Sequence, residues 1–384
     1  MSNLPILKLR PGRDKNIHSR HHWLFSGALA QIPKNIADGT LVELRNEGNT
    51  FLATGMYSPH SIAVRILSFE PGAIDRDFWK KKLEACYSYR LSMGLPNEKT
   101  DMYRLVHAEG DTLPGLIIDI YGRTAVIQSH TLGIDQFVPT IAEILVEMKV
   151  ADSVVFRSGM MDKKPEIIVG KAKAVEAMED DLRYKVDVLG GQKTGFFLDQ
   201  RENRELVRAL SEGKSVLNLF SFNGGFTLQA LQGGAQKVIS VDVSAGAIAQ
   251  LEENLALNFK KAPHKGIAQD VFEFLENNNE QFDLVICDPP AFAKKQSALN
   301  QALKGYRRLN YAVMNTVKPG GLLFTFSCSQ VVSKQDFRKV IFEAASSKQR
   351  HMRIVHELGH PVDHPINVFH PESEYLKGLV LHLE

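Results

Sequence analysis

Ser215-Val-Leu-Asn-Leu-Phe-Ser-Phe-Asn-Gly-Gly-Phe226 is the stretch whose reading decides the fold. A short apolar run passes directly into a polar turn with two adjacent glycines, as a buried strand of a parallel sheet does. Downstream the pattern repeats at Lys237-Val-Ile-Ser-Val, at a shorter Gly266-Ile-Ala, at Phe282-Asp-Leu-Val-Ile-Cys and at Gly321-Leu-Leu-Phe-Thr-Phe. Helical periodicity fills the intervals at 245–258, 271–278, 298–317 and 333–346. This alternation predicts an α/β fold with a parallel sheet covered on both faces. Ile366-Asn-Val-Phe and Leu379-Val-Leu-His-Leu predict two final strands, one antiparallel at an edge.

Ligands of such sheets bind beyond the carboxyl ends of the strands. The first strand opens into Ser221, Asn223, Gly224 and Gly225, where the glycines let the backbone approach a ligand. The turn is not G-x-G-x-x-G, which favours a moiety smaller than a pyrophosphate. Asp242 closes the second strand about 20 residues on, where an acid accepts hydrogen bonds from ribose hydroxyls. Gln269-Asp270 follows the third and can face an adenine amino group, and Asp288-Pro289-Pro290 follows the fourth. Any one such acid can equally be a helix N-cap, so it is the ordered set that is specific.

Two regions precede this one. Up to Pro71-Gly72, short strand-like runs separated by Asp38-Gly39, Glu47-Gly48-Asn49 and Ser58-Pro59 predict a small β-barrel. Its start carries Lys8, Arg10, Arg13, Lys15, Arg20 and Lys34 against Asp14 alone, with Trp23 and Phe25 following. Cations beside rings suit RNA phosphates and bases, or else form a solvated edge with the rings in the core. Residues 73–190 predict a helix over 76–93, strands at 103–107, 115–121, 124–128 and 153–157, and a helix over 136–148. Strand-like alternation at 180–189 closes that region at Gly190-Gly191. The division expected is therefore 1–72, 73–190 and 191–384. Within the middle part, Arg104, Glu109 and Asp111 are either functional or turn-forming.

The chain has 384 residues, enough for two or three domains, and is 44% hydrophobic, which excludes disorder. Its 46 Lys+Arg against 44 Asp+Glu leave a net charge of +2, so any nucleic-acid contact must come from local patches. Cys86, Cys287 and Cys328 are odd in number and form no C-x-x-C pair, so neither a disulfide framework nor a Cys-based zinc site is indicated, and no metal is expected. No apolar run approaches the ~20 residues of a membrane span, and the opening lacks a signal-peptide pattern. A cytoplasmic protein is the expectation.

The ordered set resembles a class I S-adenosylmethionine-dependent methyltransferase, and more narrowly the bacterial 23S ribosomal RNA 5-methylcytosine methyltransferase family. The match is carried by Thr194-Gly-Phe-Phe-Leu-Asp-Gln-Arg, Leu217 to Phe226, Asp288-Pro-Pro-Ala-Phe-Ala-Lys, Phe326-Ser-Cys-Ser, and Asp363-His-Pro through Tyr375-Leu-Lys-Gly. Arg104-Leu-Val-His-Ala-Glu-Gly-Asp and His22-Trp-Leu-Phe-Ser extend it over nearly the whole chain. The resemblance implies an N-terminal PUA domain that binds RNA, a central α/β domain and a Rossmann-like methyltransferase domain. It also implies a homodimer, a 23S rRNA or large-subunit assembly intermediate as partner, and Phe220, Gln200 and Arg201 beside the cofactor.

Cytosine C5 is a poor nucleophile, so its methylation needs a thiolate at C6. Cys328, just past an apolar strand, is the expected nucleophile, against the alternative of an inert core thiol. Asp288 is expected to orient the base, on a loop stiffened by Pro289 and Pro290. Phe292 either stacks on the base or plugs the core, and Lys294 either holds a phosphate or is solvated. Arg10, Arg13, Arg20 and Trp23 are the RNA candidates of the first region. Ala291 stands where many RNA 5-methylcytosine enzymes carry a second cysteine. Relatives with the same loop and no thiol methylate guanine, which is one alternative; a non-catalytic RNA-binding assembly factor is the other.

Overall fold

The computed structural model describes residues 4–32, 34–160, 164–172 and 175–384. They divide into two compact units: 1–180, 186–198 and 362–373 form one, and 181–185, 199–361 and 374–384 the other.

The first unit holds two five-stranded sheets. Strands β1 (Ile6–Lys8), β2 (Trp23–Phe25), β3 (Leu41–Arg45), β4 (Phe51–Tyr57) and β5 (Ile62–Ser68) lie in the order β1-β3-β4-β5-β2. Register shifts bend the pairs β2/β5, β3/β4 and β4/β5. An isolated bridge between Leu9 and Leu29 brings the two edges together, so the sheet curls around Leu24, Val42, Leu44, Val64 and Ile66. The second sheet, built from β6 (Met102–His107), β7 (Leu116–Tyr121), β8 (Thr124–Ser129), β9 (Ser153–Ser158) and β10 (Glu166–Val169), runs in the order β10-β9-β8-β7-β6. Helix Val138–Glu147 makes the crossover that the parallel pair β8/β9 requires. Its core centres on Trp79 of helix Arg76–Ser92, with Leu105, Ile118, Ile127 and Leu145.

Strands β11 (Val175–Glu179) and β12 (Leu182–Val186) come next in the chain. The second unit then sets β13 (Ser215–Leu219), β14 (Lys237–Asp242), β15 (His264–Ala268), β16 (Phe282–Cys287), β17 (Val317–Ser327), β18 (Met352–Leu358) and β19 (Lys377–Leu383) in the order β15-β14-β13-β16-β17-β19-β18. The first five strands in that order are parallel, whereas β19 is antiparallel to both neighbours. Every residue of β13 is buried, as a central strand covered on both faces must be. Chain order reverses between β13 and β16, and a reversal of this kind opens a ligand crevice at the strands' carboxyl ends.

Two expectations are corrected. Residues 366–369 form a turn rather than a strand: Asn367 Oδ1 accepts the Phe369 N–H at 2.9 Å and its carbonyl accepts that of His370 at 2.8 Å. The helix expected over 298–317 stops at Val313, and a 3₁₀ turn, Met314–Thr316, leads straight into β17.

Candidate methyl-transfer site

Beyond β13 the backbone is strained. Phe220 and Phe222 have φ of 59° and 46°, a left-handed conformation that costs bulky residues of order 1–3 kcal/mol each. Gly224, at φ 90°, needs to be glycine twice over, because a Cβ there would lie 2.5 Å from Leu251 Cγ. The loop is pinned by Ser221 N–H to the Val241 carbonyl at 3.1 Å and by Phe222 N–H to Asp242 Oδ2 at 2.9 Å. Helix Gly225–Gln232 then starts without a side-chain cap. Ser221 Oγ and Asn223 Nδ2 are buried and have no hydrogen-bond partner among the described residues. Leaving such atoms unpaired costs about 1–3 kcal/mol each, and a polar ligand relieves that cost.

Asp242 is half-buried; Oδ1 accepts the Ser244 N–H at 2.9 Å and Oδ2 that of Phe222. Each oxygen retains a lone pair for a ribose hydroxyl. Asp270 is exposed and caps helix Val271–Asn277 through Oδ1, which accepts from Phe272 and Glu273. Gln200 Nε2 donates to Asp288 Oδ2 at 3.0 Å, and its Oε1 accepts from Asn203 Nδ2 at 2.6 Å. Arg201 is buried at the start of helix Arg201–Ala209. Thus Gln200 and Asn203 fix the carboxylate that follows β16.

Cys328 lies on the other side of that turn. Its Sγ is 3.8 Å from the Pro289 carbonyl, and it is half-buried where Cys86 and Cys287 are buried. Burial pushes the Cys86 thiol up to about 12 and the Cys287 thiol far above its ordinary value, which leaves both inert near neutral pH. Lys377 was not singled out from sequence. It is buried, donates from Nζ to the Ser329 carbonyl at 2.7 Å, and is lowered to about 8 by burial, while Cys328 acts in the opposite direction. A cation inside the fold two positions past Tyr375 has no sequence signal apart from the matched Tyr375-Leu-Lys-Gly itself. Phe292 packs on Tyr306 with ring centroids 4.5 Å apart, and Tyr306 OH meets Ser329 Oγ at 2.9 Å, so this ring supports the loop from beneath. Pro289 is buried, and Pro290 and Lys294 are exposed.

In the first unit, Arg10, Arg13 and Arg20 are exposed. Arg10 Nε donates to the Leu29 carbonyl at 2.9 Å, and Arg20 lies 5.1 Å above the Phe69 ring. Trp23 is half-buried, with Nε1 donating to Glu109 Oε1 at 2.8 Å, while Phe25 is exposed.

A switch-point crevice with a glycine turn after one strand and an acid after the next is how an S-adenosylmethionine-dependent methyltransferase is built, and the unpartnered Ser221 and Asn223 fit that cofactor. The profile of the S-adenosylmethionine-dependent methyltransferase family matches residues 153–379, and that of a PUA-like domain matches residues 7–69. Ribosomal RNA large subunit methyltransferase I of Alteromonas mediterranea is 36% identical over 97% of both chains. Its namesake in Vibrio cholerae is 35% identical over 97% of this chain and 98% of its own. Among solved structures, a methyltransferase from Streptococcus mutans superposes with a TM-score of 0.86 at 23% identity, covering 99% of this chain and all of its own, a likeness of fold. The chain belongs to the ribosomal RNA large subunit methyltransferase I family.

Proposed function

We propose that this chain methylates C5 of a cytosine in large-subunit 23S ribosomal RNA, with Cys328 as the covalent nucleophile. The observation that carries the reading is the Cys328 thiol 3.8 Å from the Pro289 carbonyl, half-exposed beside Asp288. Asp242, Phe220, Ser221, Asn223, Gly224 and Gly225 would hold S-adenosylmethionine, and Asp270 would keep Oδ2 for the adenine edge. The cofactor supplies a methyl group on a positively charged sulfur.

The Cys328 thiolate adds to C6, and the electron pair displaced from the C5–C6 bond makes C5 nucleophilic enough to take the methyl. Asp288, fixed by Gln200, orients the N3/N4 edge of the flipped base. Loss of the C5 proton then expels the thiolate, regenerating Cys328 and the aromatic ring. Lys377, as an ammonium, favours the thiolate of Cys328. Ala291 offers no second thiol, so release relies on another base or on water.

Arg10, Arg13, Arg20, Trp23 and Lys294 are proposed RNA contacts, with 1–72, 73–190 and 191–384 as working divisions. A cytoplasmic homodimer belongs to the same reading. Mapping methylated bases in 23S rRNA from cells with and without this chain tests it. The expected result is one 5-methylcytosine that disappears on deletion. Loss of a methylguanine instead would overturn the cytosine assignment, and an unchanged methylation map would favour a non-catalytic assembly role.

A further inference from the structure

We propose that His21, His370 and Glu372 form a zinc site in the first unit, apart from the methyl-transfer chemistry. One ligand atom from each residue lies within 4.8 Å of the others. His21 Nε2 is 3.3 Å from Glu372 Oε2, and His370 Nδ1 is 3.7 Å from the same oxygen. Zinc held at ~2.0–2.2 Å by nitrogen and oxygen in a tetrahedral shell sets neighbouring ligand atoms about 3.3–3.5 Å apart, so only small movements complete the shell.

The second observation is His370 itself. Its side chain is fully buried, yet neither ring nitrogen has a hydrogen-bond partner among the described residues. Burying an imidazole with both nitrogens unbonded is costly, and a metal bond removes the cost at Nδ1. The ring is held in place by packing, with centroids 4.5 Å from Trp23 and 4.4 Å from His21.

His21 Nδ1 accepts the Trp23 N–H at 3.2 Å and lies 3.2 Å from the Trp23 carbonyl oxygen, which turns Nε2 toward the acid and leaves a carbonyl in place to take an Nδ1 proton, as zinc-bound histidines require. Without metal, Nε2–H donates to Glu372 at 3.3 Å; on zinc binding the ring proton would move to Nδ1, where the Trp23 carbonyl at 3.2 Å accepts it, freeing the Nε2 lone pair for the ion. Two imidazoles and a carboxylate suit zinc, and three protein ligands leave a fourth position for water. The ion would tie the approach to β2 to the turn Pro371–Ser373, across a separation of 351 residues between His21 and Glu372. No linear motif announces a site so dispersed, which is why no metal was expected from the sequence.

The test uses the full-length, tag-free chain stripped by chelator and titrated with Zn2+ alone by calorimetry, then with Co2+ followed by absorption. One equivalent of Zn2+ should bind, Co2+ should give the intense d–d bands of a four-coordinate site, and the melting temperature should rise. His370→Ala and Glu372→Gln should each lower Zn2+ affinity at least tenfold. Glu372 is partly exposed, so Glu372→Gln should match the chelated wild-type melting temperature and thereby show that the fold is intact. Absence of stoichiometric uptake by the wild type overturns the proposal. So does wild-type affinity in both variants, which would assign the binding to scattered surface histidines.

Discussion

The polar residues around Arg104 and those following β13 are similarly buried, yet they are partnered in opposite ways. Arg104 makes a two-point ion pair with Asp119 at 2.7 and 2.9 Å, and its backbone N–H reaches Asp363 Oδ2 at 2.8 Å. Arg90 does the same with Asp111 at 2.6 and 2.7 Å and adds the Asp363 carbonyl at 2.7 Å. Thr194 Oγ1 donates to Asp119 at 2.5 Å and meets Tyr121 OH at 2.9 Å. Each charge there is matched within the protein. In the loop after β13, by contrast, Ser221 Oγ and Asn223 Nδ2 lack partners while Phe220 and Phe222 hold strained dihedrals. Matched buried charge is architecture; buried polarity left unmatched at a strand end points to a ligand.

Substitutions should separate the two regions. The largest effect belongs to Cys328→Ala, which should lower turnover at least a thousandfold while RNA and cofactor affinity and the melting temperature stay near wild type. Single-turnover kinetics with parallel binding titrations measure this. Arg104→Ala should do the reverse. It leaves Asp119 buried without its ion pair and should destabilise the first unit by about 3–5 kcal/mol in denaturant unfolding. A stable Arg104→Ala protein with altered catalysis would break the distinction.

Asp242→Ala comes next, with S-adenosylmethionine affinity expected to fall about 10- to 100-fold by calorimetry, because a charged acceptor for the ribose is lost. Unchanged affinity would remove Asp242 from the cofactor site. The smallest effect is a shift in pH dependence. Lys377 is lowered to about 8, so its ammonium persists below that pH and favours the neighbouring thiolate. In Lys377→Met the acid limb of the turnover profile should move to higher pH, with a modest loss at neutral pH. An unmoved limb would reduce Lys377 to a structural role.

The sheet of the second unit was legible because its strands are continuous apolar runs and their last residues bear the polar groups. The reading placed Asp242, Asp288 and Cys328 at strand ends, where the structure has them. Helix Arg201–Ala209 escaped it, since Arg201, Asn203 and Arg204 are buried polar residues that no hydrophobic period marks. The resemblance sets Gln200 beside the cofactor, and its Nε2 donates to Asp288, a bond that no local pattern announces. Residues 362–373 were equally opaque. Asp363 bonds to Arg104 across 259 positions, a pairing that no local pattern encodes, and Val368, expected in a strand, is 89% exposed. The charged residues of Arg104-Leu-Val-His-Ala-Glu-Gly-Asp could be flagged from sequence, but only their partners show what they do.

The most direct measurement of the central claim is a trapping experiment with RNA carrying 5-fluorocytosine at the target position. Fluorine cannot leave as a proton, so elimination of the thiol stalls after methyl transfer. The account predicts a stable, cofactor-dependent protein–RNA adduct whose peptide map places the bond on Cys328, absent in Cys328→Ala and never transferred to Cys287 or Cys86. An enzyme that methylates this RNA without forming the adduct, or that turns over at near-normal rate as Cys328→Ala, would contradict it.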